Sequence, residues 1–187
     1  EEPLSYPVLT LNSRSVIKIS FDQLSHTLKN YSYSITHCDA DWTPSSLMEM
    51  EYVDGFSTGI IYDYEHSINT TVDYTHYWFH IPNKDFRLKA SGNYVIKVYE
   101  DNEPEKVIFT TTFSVVDPQV SIAAQVKTDT DKGIKNHFQQ IDFDVFSNNI
   151  DVKDAFSELK VIVRQNNRAD NEVKNLKPTF NAPKKQS

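Results

Sequence analysis

The chain has 187 residues, with 26 acidic against 19 basic side chains (net −7), 39% hydrophobic and 12% aromatic residues, four glycines and one cysteine. A single cysteine excludes an internal disulfide and a cysteine-ligated zinc module. No apolar run approaches the roughly 20 residues of a membrane helix, and the negative balance disfavours non-specific nucleic-acid binding, which depends on clustered Lys and Arg, so a soluble chain without nucleic-acid partner or direct membrane insertion is expected.

Strand patterns dominate. After a short apolar run at 8–11, Ile17, Ile19 and Phe21 alternate with Lys18 and Ser20, and Tyr31, Tyr33 and Ile35 alternate with Ser32, Ser34 and Thr36. A period of two puts each first set on one face of a half-buried strand. Further runs rich in β-branched and aromatic residues fall at 64–68, 77–81, 94–99 and 107–116. About seven strands in the first 116 residues, without a helical period between them, predict an all-β fold and an immunoglobulin-like antiparallel β-sandwich over 1–117. Ser91-Gly92-Asn93-Tyr94 opens one strand as the tyrosine corner of such sandwiches does, and Ile96 stands where a bridging cysteine would fall.

Asp117-Pro118 marks a boundary, because proline suits neither helix continuation nor a central strand. The charge changes there too. Residues 1–117 carry 17 acidic and 8 basic side chains, net −9, whereas residues 118–187 are net +2. Strand-like runs at 120–126, 138–146 and 159–163, and a turn of helix near 152–156, are expected beyond it. Three strands are too few for a closed sandwich, so 118–187 reads as a partial second β domain, cut short or completed by another chain, with a mobile, lysine-rich tail from 174.

The segment between the strand ending near Cys38 and the run at 64–68 breaks the pattern. Thr43 can cap a short helix with Pro44 at its first position, and Trp42, Met48, Met50, Tyr52 and Phe56 give the segment apolar area. From Asn30 to Asn83 there is no Lys or Arg, yet there are eight carboxylates and four histidines. A calcium loop starting at Asp39-Ala40-Asp41 is broken by Trp42 and Pro44. Glu49 and Glu51 could serve as a glycosidase pair only across a cleft. His37, His66, His76 and His80 could bind zinc only by converging from separate strands. Trp42 and Trp78 could form a sugar-stacking platform, the mark of a glycan-binding sandwich module, although packing accounts for most of the aromatics. No cofactor is implied by any of these patterns.

Four motifs occur in order: Tyr6-Pro7-Val8-Leu9-Thr10-Leu11-Asn12-Ser13, Ile35-Thr36-His37-Cys38-Asp39-Ala40-Asp41-Trp42-Thr43-Pro44-Ser45, Glu51-Tyr52-Val53-Asp54-Gly55-Phe56 and Ser91-Gly92-Asn93-Tyr94. With them the chain resembles the N-terminal region of the Bacteroidetes type IX secretion system plug protein family, collinearly from Tyr6 to Pro178. The resemblance implies an exported, periplasmic, non-catalytic protein of immunoglobulin-like sandwiches. It also implies a partner, the outer-membrane translocon, whose periplasmic side the plug seals. Family members are longer than this chain, which would hold the first sandwich and the opening strands of the second. The element expected to face the partner is the acidic loop, Asp39, Asp41, Trp42, Glu49, Glu51, Tyr52 and Asp54; the competing expectation is that Trp42, Tyr52 and Phe56 close the end of the sandwich.

Overall fold

The computed structural model describes residues 6–127, 140–147, 149–166, 169–174 and 176–179. The backbone packs as two compact units, Glu1–Asp117 and Pro118–Ser187. The architecture is all-β with several sheets, one of them curled as a half-barrel. Among the described residues no helix is long and apolar enough to cross a membrane.

The first unit contains β1 (Val8–Thr10), β2 (Ile17–Gln23), β3 (Tyr31–Cys38), a one-turn helix α1 (Glu49–Tyr52), β4 (Val53–Gly55), β5 (Thr58–Ile61), β6 (Asp63–His66), β7 (Thr75–Ile81), β8 (Phe86–Leu88), β9 (Gly92–Glu100) and β10 (Val107–Val116). One sheet has the order β1-β10-β9-β3-β5, a second β2-β7-β6, and β4 pairs with β8 alone. All pairings are antiparallel except that of β1 with β10.

Alternation decides which face is buried. On β7, Thr75, Tyr77, Phe79 and Ile81 are buried while His76, Trp78 and His80 are half-buried on the other face. Tyr31, Tyr33 and Ile35 of β3 and Tyr94, Ile96 and Val98 of β9 complete the core from the five-stranded sheet. Aromatic pairs join the two sheets: Tyr33 stacks on Phe79 at 4.7 Å, Tyr31 meets Tyr77 edge-on at 4.9 Å, and Phe21, stacked on its own sheet neighbour Tyr77 at 5.4 Å, touches Tyr31 and Phe109 at 5.1 and 5.2 Å. Such contacts contribute about 0.5–1.5 kcal/mol each beyond the area they bury.

The hydroxyls of the three core tyrosines at the sheet interface find partners. Tyr31 donates to Gln23 Oε1 (3.2 Å), Tyr77 to the Lys29 carbonyl (3.2 Å), and Tyr33 accepts from Asn83 Nδ2 (2.8 Å). Burial, reinforced by Tyr77, Glu100 and Asp101, pushes the Tyr31 phenol up to about 12.

Sequence periodicity anticipates the long strands and misses β4, β5 and β8. Each has three or four residues, too few to display a period, and β5 contains Gly59, so pairing rather than local pattern makes them strands. In the second unit β11 (Ser121–Lys127) pairs with β12 (Gln140–Phe146), and β13 (Val163–Arg164) with β14 (Glu172–Val173), which follows a 3-10 turn at Ala169–Asn171. The strand expected at 159–163 is therefore reduced to β13. The expected turn of helix lies slightly later, as α2 (Ala155–Glu158), where the Asp154 carboxylate accepts the Phe156 N–H at 3.0 Å. Residues 138 and 139 of the expected strand, and most of the expected mobile tail, lie outside the described residues.

Phe79 holds the centre of the inter-sheet core. Phe79→Ala is expected to cost roughly 3–5 kcal/mol by urea titration; a loss below about 1 kcal/mol would contradict a core shared between the sheets.

Candidate functional site

The sequence motifs converge on His37. The alternation that buries Tyr31, Tyr33 and Ile35 extends two residues further and places His37 on the same face, 7% exposed. Its Nε2 lies 3.0 Å from the Ser91 carbonyl, which can only accept, so Nε2 carries a proton. In the neutral ring Nδ1 then accepts from Ser45 Oγ at 2.7 Å. The imidazole is thereby clamped between the loop after β3 and the turn before β9.

That turn fits only glycine. Gly92 has φ +141°, and a Cβ there would lie 2.3 Å from His37 Nε2. Two residues on, Tyr94 is fully buried and its hydroxyl donates to the Ala90 carbonyl at 2.7 Å. This is the corner bond expected from Ser91-Gly92-Asn93-Tyr94, and burial raises the phenol pKa far beyond its ordinary value. His37 meets the Tyr94 ring edge-on at 5.0 Å, Tyr52 lies 5.7 Å from His37 and 6.2 Å from Tyr94, and Tyr94 stacks on Phe113 at 5.0 Å.

The acidic loop is held in shape by backbone bonds and by its own carboxylates, and Ser45 ties it to His37. The Asp39 N–H donates to the Thr43 carbonyl (2.8 Å) and the Trp42 N–H to the Asp39 carbonyl (3.0 Å), while Asp41 Oδ1 accepts from the Thr43 N–H (3.2 Å) and hydroxyl (2.7 Å). Trp42 is held at φ +68°, an uncommon region for a large side chain. The helix expected to begin at Thr43 does not form there. Asp41 occupies the Thr43 hydroxyl, Pro44 forms an isolated bridge with Cys38, and the Ser45 N–H donates to the His37 carbonyl (3.0 Å). Helix α1 starts at Glu49 instead, with the Glu51 carboxylate taking the Met48 N–H at 2.6 Å.

Further bonds fix α1 and the chain after it. Glu49 accepts the Ser57 N–H at 2.8 Å, which lowers its carboxyl pKa. Lys89 donates from Nζ to the Met50 carbonyl (2.7 Å) and from its backbone to the Tyr52 carbonyl (2.9 Å). Gly55, at φ +110°, closes β4 against β8; a Cβ there would lie 2.2 Å from the Asp85 carbonyl oxygen.

Of the seven loop residues singled out from sequence, the structure buries Tyr52 and half-buries Trp42, whose ring meets Tyr6 edge-on at 6.2 Å. Asp39, Asp41, Glu49, Glu51 and Asp54 are exposed. Asp54 stands opposite Arg87 in the β4–β8 register. Phe56, expected beside Trp42 and Tyr52 at the sandwich end, is instead 73% exposed.

The other chemistries find no geometry here. Glu49 and Glu51 serve backbone N–H groups rather than a shared cleft. His37 belongs to the core cluster, His66 Nδ1 bonds Thr75 Oγ1 (3.0 Å) and His76 Nδ1 bonds Asp22 (2.6 Å), so the four histidines do not converge. Among the described residues no group of three or more His, Cys, Asp or Glu is arranged for a metal. Trp78 lies under the Lys18 ammonium at 5.0 Å and beside His76, whereas the Trp42 ring meets Tyr6. Cys38 is buried, and burial together with Asp39 and Asp41 raises its thiol pKa, the reverse of an activated nucleophile.

Fold and site define an all-β domain whose long acidic loop lies exposed over a buried cluster of His37, Tyr52 and Tyr94. A family model described as the type 9 secretion system plug protein first domain matches residues 1–117, and the chain belongs to that family. It is also similar to a crystal structure of a hypothetical protein from Parabacteroides merdae, at 40% identity and a TM-score of 0.90. That match covers 97% of this chain and 46% of the other, so the chain spans about half the length of that relative. No curated protein matches.

Gly92→Ala must clash with His37 at an unfavourable φ and is expected to cost roughly 2–4 kcal/mol. Tyr94→Phe loses only the corner bond and leaves the Ala90 carbonyl to other partners, at about 1–2 kcal/mol. Urea titration of both variants checks the order; a tolerated Gly92→Ala would contradict the clamp.

Proposed function

We propose that this chain is the N-terminal part of a periplasmic, non-catalytic plug, an interaction module that docks on the periplasmic side of the type IX outer-membrane translocon and seals it. The observation that carries this reading is the match of the plug first-domain model over residues 1–117. The site supports it physically. A pore seal needs a rigid body with a large polar contact surface, and the loop carboxylates here spend their hydrogen bonds on holding a shape.

In this reading the acidic loop is the partner-facing element. Asp39, Asp41, Glu49, Glu51 and Asp54 supply its exposed charge, while Trp42 and Tyr52 anchor it from beneath. Its charge is one-signed, so it suits a basic rim on the translocon.

We further propose that residues 1–117 are an immunoglobulin-like sandwich and that 118–187 are the opening strands of a second β domain. Supporting the first are the two sheets sharing one core and the Tyr94 corner bond, with Ile96 at the position of the absent disulfide. Supporting the second, every residue of β11 is exposed, Ile122 and Val126 among them, and an isolated two-stranded ribbon is at best marginally stable.

The test is recovery of the full-length gene product from native cells after in vivo cross-linking. An outer-membrane translocon is expected to co-purify, and Asp39→Lys/Asp54→Lys is expected to reduce its yield several-fold. Repeated purification without such a partner would overturn the plug assignment.

A further inference from the structure

Sheet edges expose unpaired N–H and C=O groups, and proteins protect them with lysines, prolines, bulges or covering loops. In the first unit β5 is the terminal strand of the five-stranded sheet and β6 that of the three-stranded sheet. Only Tyr62 separates them, so 58–66 form one continuous edge that passes from sheet to sheet.

The register shows which backbone groups face outward. The Ile35 N–H bonds the Ser57 carbonyl, and the Ser67 N–H bonds the Tyr74 carbonyl. Bonded and non-bonded pairs alternate in an antiparallel ladder, so Gly59, Ile61, Asp63 and Glu65 turn toward β3 or β7. Thr58, Ile60, Tyr64 and His66 turn away from their neighbours, into an edge that no strand covers among the described residues.

Positive charge and proline, which guard many sheet edges, are absent from this one. Residues 58–66 contain no Lys, Arg or Pro. Instead Ile60 is 50%, Tyr62 75% and Tyr64 44% exposed, and Asp63 and Glu65 stand exposed on the opposite face. We propose that this edge is a docking site for an extended, basic segment of a partner protein, which adds as a strand along 58–66. Its Lys or Arg side chains would meet Asp63 and Glu65, and its apolar ones Ile60, Tyr62 and Tyr64. Charge selects this occupant over a second copy of the chain, which would set the same carboxylates against one another. The inference rests on reading the chain as a macromolecule-binding module, and not on the identity of the translocon.

The test titrates the purified chain with two synthetic peptides of about nine residues, one alternating lysine with valine and one alternating glutamate with valine, at physiological ionic strength. Ile60→Pro removes an outward N–H and leaves the β3 ladder to Gly59 and Ile61. Asp63→Lys/Glu65→Lys alters only exposed side chains and serves if the proline variant fails to fold. The lysine peptide is expected to bind, the glutamate peptide not to, and each variant to weaken binding at least about tenfold. Equal binding of the two peptides, binding unchanged in a folded variant, or a chain dimer abolished by Ile60→Pro would overturn the proposal. Undiminished recovery of the translocon by variants that no longer bind peptide would also overturn this edge as the docking site while leaving the plug assignment intact. Peptide binding as expected with no translocon recovered would support the edge and count against the plug.

Discussion

The arrangement of the first unit depends on the clamp around His37. One imidazole reaches the Ser91 carbonyl with one nitrogen and Ser45 Oγ with the other, and it packs between the rings of Tyr52 and Tyr94. Three segments distant in sequence meet there: the end of β3, helix α1 and the entry to β9. A buried polar group is costly unless fully bonded, so the same bonds that make the cluster tolerable also make it specific. Gly92 is part of that specificity, because any side chain there would occupy the space of the ring.

This constraint explains how a loop rich in carboxylates can have a fixed shape. Asp41, Glu49 and Glu51 each take a backbone N–H of the loop or of the chain just after it, and Lys89 ties α1 to the chain after β8. The negative charge therefore sits on a braced surface rather than on a flexible tether. A rigid, carboxylate-rich surface gains orientation and selectivity in docking without ordering cost at the moment of contact. In the plug reading proposed above, such a surface would suit a pore mouth, and the proposed edge at 58–66 would add a second contact.

Much of this was legible in the residues. Period-two alternation located β2, β3, β7, β9 and β10, and the glycine two before Tyr94 announced the corner. The missing strands were short because they exist through their partners: β4 has three residues and is a strand only because β8 lies beside it. Local helix signals at Thr43-Pro44 lost to longer-range bonds, since Asp41 captured Thr43 and the bridge to Cys38 captured Pro44. By residue type alone His37 is a candidate zinc ligand. Extending the Tyr31-Tyr33-Ile35 alternation by one step would have placed it in the core, but its partners Ser45 and Ser91 are 8 and 54 residues away and carry no pattern linking them to it.

Hydrogen–deuterium exchange on His37→Ala tests the central claim most directly. If the imidazole holds the loop, amides at 39–57 lose protection by several orders of magnitude while those of β7 and β10 stay close to wild type. Unchanged protection across 39–57 would show that the loop holds its shape without the clamp and would contradict the account.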